Sequence, residues 1–148
     1  MLKYKHILLA TDFSEGTVHV INEAHALAKQ MGAKFSLLHV VEPLPGYGYA
    51  FIGSAEIELQ LIDESKKQLA KLGKKHSVAK KNQFVEIGPP KAEITRVAEE
   101  KGVDLIVVGS HGRHGFVENL LGSTANAVVH HAKCDVLTVK INGVVEKE

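Results

Sequence analysis

The stretch that decides the fold runs from Asp104 to Thr124 and reads DLIVVGSHGRHGFVENLLGST. Its first part, Asp104 to Val108, is apolar on both faces, as expected of a central strand in a parallel sheet. A glycine-rich segment follows from Gly109 to Leu121, and a helix is predicted to begin at Ser123. A buried strand, a glycine-rich connection and a helix in this order predict an α/β fold built from parallel strands.

The same alternation of strand and helix extends over the whole chain. The other strands are predicted at His6–Ala10, Lys34–Val41, Gln83–Ile87 and Val136–Ile141. The helices between them are predicted to begin at Ser14, which would act as an N-cap, and at Ala55, Pro89 and Ser123. Crossovers of this kind are right-handed and give a doubly wound, Rossmann-like sheet of five parallel strands with helices on both faces. Residues 1–148 are interpreted as one domain.

The composition argues against several classes of protein. Hydrophobic residues make up 45% and charged residues 24%, which is typical of a folded domain and not of a disordered chain. The formal net charge is +1 and the lysines are dispersed, so nothing electrostatic favours nucleic acid as a partner. No apolar run approaches the roughly 20 residues of a membrane span, and none at the N-terminus suits a signal peptide. With one cysteine, Cys134, no internal disulfide is available, and we expect a cytoplasmic protein.

The glycine-rich loop and the helix start after it are suited to a phosphate group. Glycines lack a Cβ, so the backbone N–H groups around Gly109, Gly112 and Gly122 can approach a ligand closely. The helix N-terminus adds free N–H groups and the positive end of a dipole, and Ser123 and Thr124 add hydroxyls. The pattern is neither a Walker loop nor the dinucleotide fingerprint. The alternative is that the segment is an ordinary loop before a Ser-capped helix. The position of the segment at the carboxyl edge of the sheet favours anion binding over this alternative.

Three segments of the chain resemble the universal stress protein family. The first matches the family motif Gly-x-x-Gly, nine residues, Gly-Ser/Thr, through Gly109, Gly112, Gly122 and Ser123. The second, His6 to Ser14 (HILLATDFS), is similar to the first strand and acidic turn of the family. The third, His131 to Val139 (HAKCDVLTV), is similar to its last passage from helix to strand. The resemblance covers nearly the whole chain.

This resemblance implies an ATP-binding domain in which the first and fourth strands are neighbours, so that Asp12 lies opposite the glycine loop. It implies that the triphosphate lies on the loop and the next helix, and that the adenine meets backbone near the end of strand two. Asp12 would lie near the ribose and a bound Mg²⁺ or another divalent cation. The nucleotide-binding residues it implies are Thr11, Asp12, Val40, Val41, Gly109, Gly112, Arg113, Gly122, Ser123 and Thr124.

Several of these residues keep an alternative interpretation. Asp12 can instead cap the first helix together with Ser14, and Arg113 either reaches a γ-phosphate or is solvated. His39 is interpreted as an ordinary strand histidine. We expect valine at Gly112 or Gly122 to abolish nucleotide binding and to leave the fold intact. Whether the ligand is ATP, ADP, AMP or a cyclic nucleotide stays open.

The predicted function is that of a stress-response regulatory protein that binds ATP and acts as a dimeric switch or interaction module. One alternative is a stress protein that dimerises without a nucleotide. Another is a slow ATPase, although the chain has no Walker lysine and no base that the sequence identifies, so no catalytic residue is named. A response-regulator receiver is set aside, because the end of strand three, Glu86 to Pro89, has no aspartate to accept a phosphoryl group.

The last strand, Val136 to Ile141, predicts a homodimer. It is apolar and β-branched, and as the last strand it is expected at an edge of the sheet, where unpaired N–H and C=O groups invite association. Antiparallel pairing with the same strand of a second copy would satisfy both edges, and the family resemblance points the same way. The alternative is that the tail from Asn142 shields the edge. A Val139→Pro variant is expected to separate the two.

Overall fold

A parallel sheet of five strands forms the centre of the fold. The strands are β1 (His6–Ala10), β2 (Lys34–Val41), β3 (Gln83–Ile87), β4 (Leu105–Gly109) and β5 (Asp135–Val139). Their order is β3-β2-β1-β4-β5, and every adjacent pair is parallel. The computed structural model describes residues 3–43, 54–111 and 120–141. The predicted α/β fold class, with strands one and four as neighbours, is confirmed.

Within the described residues, four helices cover the two faces of this sheet. They are α1 (Thr17–Met31), α2 (Ser54–Lys75), α3 (Pro90–Glu100) and α4 (Ser123–His131), and a short 3₁₀ turn at Lys80–Asn82 precedes β3. Helices α1 and α2 contribute to one apolar core, and α3 and α4 contribute to the other. None of the helices in the described ranges has both the length and the apolar character needed to cross a bilayer.

Strand β1 explains why the sheet needs helices on both sides. Its residues alternate between the two cores, with Ile7 and Leu9 in the core of α1 and α2 and Leu8 in the core of α3 and α4. All three side chains have 1% or less of their surface exposed. A strand whose central residues are apolar on both faces is stable only where both faces are covered, and the helices on the two sides of the sheet cover β1 in this way.

Two predicted boundaries are wrong by at least two residues, and the bounds of β4 and the start of β5 are each displaced by one residue. Helix α1 begins at Thr17 after an N-cap at Gly16 and has no side-chain cap, so Ser14 is not its cap. The reason is local, because Ser14 lies three residues before the first helical residue and its carbonyl accepts from the Thr17 N–H at 3.0 Å, which closes a turn ahead of the helix. Strand β5 ends at Val139 instead of Ile141, because the Ile141 N–H donates to the Ser110 hydroxyl.

The strand order also fixes where a ligand can bind. The chain runs from β1 outward to β2 and β3 on one side, and β4 and β5 lie on the other side. The order therefore reverses between β1 and β4, and the loops after these two strands separate there. A crevice beyond the carboxyl ends of the strands at such a reversal is the usual ligand site of a doubly wound sheet.

Candidate functional site

A cavity of about 660 Å³ opens at the carboxyl edge of the sheet. Its walls come from the ends of β1, β2 and β4, from the first turn of α4 and from one face of α2. Eight of the predicted nucleotide-binding residues line it, namely Thr11, Asp12, Val40, Val41, Gly109, Gly122, Ser123 and Thr124. The other two, Gly112 and Arg113, lie outside the described residues. The volume is within the range of about 300–1,000 Å³ typical of small-molecule sites.

The turn after β1 brings Asp12 into this cavity. An Asp12 carboxylate oxygen accepts a hydrogen bond of 2.9 Å from the Ser14 N–H, which makes a local Asx turn. The Thr11 hydroxyl accepts a bond of 3.1 Å from the Phe13 N–H and lies 3.1 Å from the Thr17 hydroxyl. Asp12 is thus part of a folded turn that precedes α1, and the interpretation of Asp12 and Ser14 as helix caps is replaced by this turn.

His39 is a site residue whose role the sequence interpretation missed. It is 7% exposed, and its ring lies 4.2 Å from the ring of Phe13 at a tilt of 30°. Its Nδ1 atom lies 2.7 Å from the Thr11 carbonyl oxygen. The available signal was a polar residue within the apolar run from Leu37 to Val41, which a strand covered on both faces admits only with a hydrogen-bond partner.

Ser110 joins the loop after β4 to the end of the chain that the structure describes. Its N–H donates to the Val139 carbonyl at 2.9 Å, and its hydroxyl accepts from the Ile141 N–H at 2.9 Å. Its carbonyl accepts from the Gly122 N–H at 2.7 Å, which closes the loop immediately before α4. The side chain is 7% exposed. Ser110 therefore positions the loop, although no ligand role was predicted for it.

Gly122 is a glycine for a different reason from the one expected. Its φ is −61°, which any residue adopts. A Cβ on Gly122 would lie 2.9 Å from the Ser110 carbonyl oxygen and 3.3 Å from the Cα of His111, both backbone atoms. The close approach is therefore between two parts of the loop itself. The expectation that valine at Gly122 leaves the fold intact is accordingly revised.

The start of α4 is not capped by a side chain. Gly122 occupies the N-cap position, and Ser123 is the first helical residue, so the interpretation of a Ser-capped helix is wrong. The N–H groups of a first helical turn have no partner within the helix. Ser123, Thr124 and Ala125 all line the cavity, so this uncapped turn forms part of its wall.

Helix α2 supplies a wall that the sequence interpretation did not include. The residues that line the cavity from this helix are Leu61, Glu64, Ser65 and Gln68. They recur at intervals of three and four, so they share one helical face. The sequence signal for this wall was Ser65, a polar residue that interrupts the apolar face of the helix. In the structure Ser65 is buried, with 9% of its surface exposed.

The described walls of the cavity are acidic. Asp12, Glu42 and Glu64 line it, and none of the described lining residues is a lysine or an arginine. Within residues 3–43, 54–111 and 120–141, no three histidine, cysteine or carboxylate side chains form a group able to hold a metal ion. An anionic ligand at this site therefore needs positive charge that the described walls do not provide.

The chain is similar in sequence to known proteins. The model of the Universal stress protein family matches residues 3–140. The chain belongs to the universal stress protein family. Among its family relatives, Universal stress protein A homolog 2 of Coxiella burnetii is 41% identical over 97% of this chain and 99% of its own length.

Two solved structures have a similar fold. That of MJ0577, a universal stress protein of Methanocaldococcus jannaschii, is 30% identical, has a TM-score of 0.80 and covers 95% of this chain and 99% of its own. A universal stress protein solved in complex with cAMP has a TM-score of 0.62 and covers 94% of this chain and 98% of its own. At 24% identity the second likeness concerns the fold alone.

Proposed function

We propose that the cavity binds an adenine nucleotide as its complex with Mg²⁺ or another divalent cation, and that the protein acts in the cytoplasm as a nucleotide-dependent dimeric module of the stress response. The observation that carries the proposal is that the Asp12 turn, the described ends of the glycine-rich loop (Gly109 to His111 and Leu120 to Gly122) and the first turn of α4 line one cavity. Family membership supports the nucleotide, since the resemblance to the family implies ATP.

The divalent cation follows from the charge of the walls. A triphosphate would meet the carboxylates of Asp12, Glu42 and Glu64 without a lysine or arginine among the described lining residues. A divalent cation that enters with the nucleotide reduces this repulsion, and carboxylate oxygens are ligands that Mg²⁺ prefers. Asp12 is the acidic residue on the turn opposite the glycine loop, and we assign it a contact with the metal ion or with the ribose. Uncapped N–H groups at the start of α4 suit the phosphate oxygens.

The backbone of Val40 is a better candidate than that of Val41 for contact with the adenine. The Thr11 N–H donates to the Leu38 carbonyl, so the backbone groups of Leu38 point toward β1. Backbone direction alternates along a strand, so the groups of Val40 point the same way, beyond the last β1–β2 pair of Ala10 and Leu38. Those of Val41 point toward β3, where its carbonyl accepts from the Gly88 N–H at 2.9 Å.

Calorimetric titration tests the proposal. ATP, ADP, AMP and cyclic AMP are added to the intact protein with and without Mg²⁺, and phosphate release is followed in parallel. We expect saturable binding of ATP that is stronger with Mg²⁺. Asp12→Ala is expected to weaken binding at least about fivefold with Mg²⁺, corresponding to about 1 kcal/mol, and less without it. No binding of any of the four nucleotides would contradict the proposal, and steady phosphate release would favour the slow ATPase.

The dimer is proposed to form through β5. This strand pairs only with β4 among the described residues, and Leu137 on it is 39% exposed. The Val139 carbonyl points toward β4, since it accepts from the Ser110 N–H. Because backbone direction alternates along a strand, the N–H and C=O groups of Val136 and Thr138 point away from β4. Proline at Val139 would therefore break the ladder within one chain, and Thr138→Pro is the better variant.

Light scattering on the intact protein and on Thr138→Pro tests the dimer. We expect the intact protein to have the mass of a dimer at micromolar concentration and Thr138→Pro to have the mass of a monomer, because the variant lacks an outward N–H donor. Circular dichroism checks that the variant is folded. A monodisperse monomer for the intact protein would refute the interface.

A further inference from the structure

His39 occupies a position in the fold where a histidine needs a reason. It lies in the middle of the apolar run of β2, lines the cavity and is 7% exposed. Burial of an imidazole is unfavourable unless its polar atoms are hydrogen-bonded. Its contacts therefore indicate what the side chain does there.

The hydrogen bond to Thr11 fixes the tautomer of His39. The Nδ1 atom lies 2.7 Å from the Thr11 carbonyl oxygen. A carbonyl oxygen only accepts hydrogen bonds, so Nδ1 must carry the proton and donate. The His39 ring thereby holds the carbonyl group of the residue that precedes Asp12.

The ring of His39 also holds the residue after Asp12. Phe13 has a φ of +60°, in the left-handed region that residues other than glycine adopt only at a cost. Such a conformation persists where its surroundings over-determine it. Two contacts do so here, the bond from the Phe13 N–H to the Thr11 hydroxyl and the packing of the Phe13 ring on His39 at 4.2 Å.

We propose that His39 is a positioning residue of the nucleotide site, which sets the direction of the Asp12 carboxylate by fixing the residues on both sides of it. The proposal rests on the proposed function for its effect on binding. The turn is held within the chain by the bond from the Ser14 N–H to the Asp12 carboxylate at 2.9 Å. His39 acts on the ligand through Asp12, so removal of either residue is expected to remove the same interaction.

Two substitutions separate the contacts of His39. His39→Phe keeps an aromatic ring against Phe13 and has no donor for the Thr11 carbonyl. His39→Asn has a side-chain amide whose nitrogen can replace Nδ1 as that donor. ATP titrations with and without Mg²⁺ are made on both variants, on Asp12→Ala and on the double variant of Asp12→Ala with His39→Phe.

We expect His39→Phe to weaken Mg²⁺–ATP binding about tenfold, comparable to the loss of one hydrogen bond, and to lose most of the enhancement by Mg²⁺. His39→Asn is expected to stay within about threefold of the wild type, as donor rescue predicts. The double variant is expected to bind no more weakly than Asp12→Ala, because residues that act as a unit are not additive. Additive losses, or an unchanged Mg²⁺ enhancement in His39→Phe, would overturn the proposal.

A nucleotide-free measurement separates this proposal from the proposed function. Hydrogen exchange of the Ser14 amide is followed by NMR in the wild type and in His39→Phe, with the β1 amides as the internal control. We expect Ser14 to exchange at least about tenfold faster in the variant while β1 is unchanged. Unchanged Ser14 exchange, or a wild-type His39 protonated at Nε2 instead of Nδ1, refutes the positioning role. Faster exchange in a protein that binds no nucleotide refutes only the proposed function.

Discussion

Gly122→Ala is expected to destabilise the protein before any ligand is considered. The new Cβ would lie 2.9 Å from the Ser110 carbonyl oxygen and 3.3 Å from the Cα of His111, whereas ordinary contact begins at 3.4 Å. Ser110 cannot move freely, because Val139 and Ile141 hold its N–H and its hydroxyl. Overpacking of this kind costs about 1–3 kcal/mol. Weakening the 2.7 Å bond from the Gly122 N–H to Ser110 adds about 1 kcal/mol.

The free energy of unfolding is therefore expected to fall by about 2–4 kcal/mol, measured by urea denaturation followed by circular dichroism. Gly16→Ala is the matched control in the same cavity wall, because the three atoms nearest to its Cβ all belong to the Ile141 side chain, which can rotate, and none of them is a backbone atom. We expect this control to lose less than about 1 kcal/mol. A Gly122→Ala protein as stable as the wild type would refute the reasoning from backbone contact.

Three further measurements follow from the described contacts. Burial lowers the pKa of His6 and of His25 below 6.5, so the folded chain binds fewer protons than the unfolded chain. Urea denaturation should therefore show that the free energy of unfolding falls as the pH drops below 6.5. Ser110→Ala leaves the Ile141 N–H without its acceptor and should cost about 1–2 kcal/mol in the same assay. Burial raises the pKa of Cys134, so iodoacetamide at pH 8 should label it more slowly in the folded protein than in urea, and equal rates would contradict this.

The parts of the fold that could be predicted are those that depend on local pattern. The bounds of β1, β2 and β3 match the prediction to the residue, because each strand is followed directly by polar or turn-forming residues, at Thr11–Asp12, Glu42–Pro43 and Gly88–Pro89. The start of α1 could not be predicted from a serine at position 14, because Ser14 belongs to a turn that precedes the helix, in which its N–H donates to the Asp12 side chain and its carbonyl accepts from the Thr17 N–H. The end of β5 was mispredicted because a contact 31 residues away in sequence removes Ile141 from the ladder.

The candidate site divides in the same way. Residues that follow a motif, such as Gly109, Gly122 and Asp12, could be placed at the carboxyl edge from their positions after strands. His39 acts on Thr11 across 28 residues of sequence, so its role depends on the register of two strands and has no local signature. The reason for Gly122 was also tertiary, because only the folded loop brings its backbone against that of Ser110.

The position of β1 in the sheet has a consequence for protein synthesis. Of the five strands, β1 is synthesised before the others, yet it is the central strand, and the pairing of Ile7 with Leu105 must wait until β4 has been made as well. Until then, one edge of a strand that is apolar on both faces has no partner, and such edges pair readily with other chains. We expect nascent chains that stop before β4 to need a chaperone and not to form a smaller stable domain. The ligand cavity and the protection of β1 thus arrive together, with the last two strands.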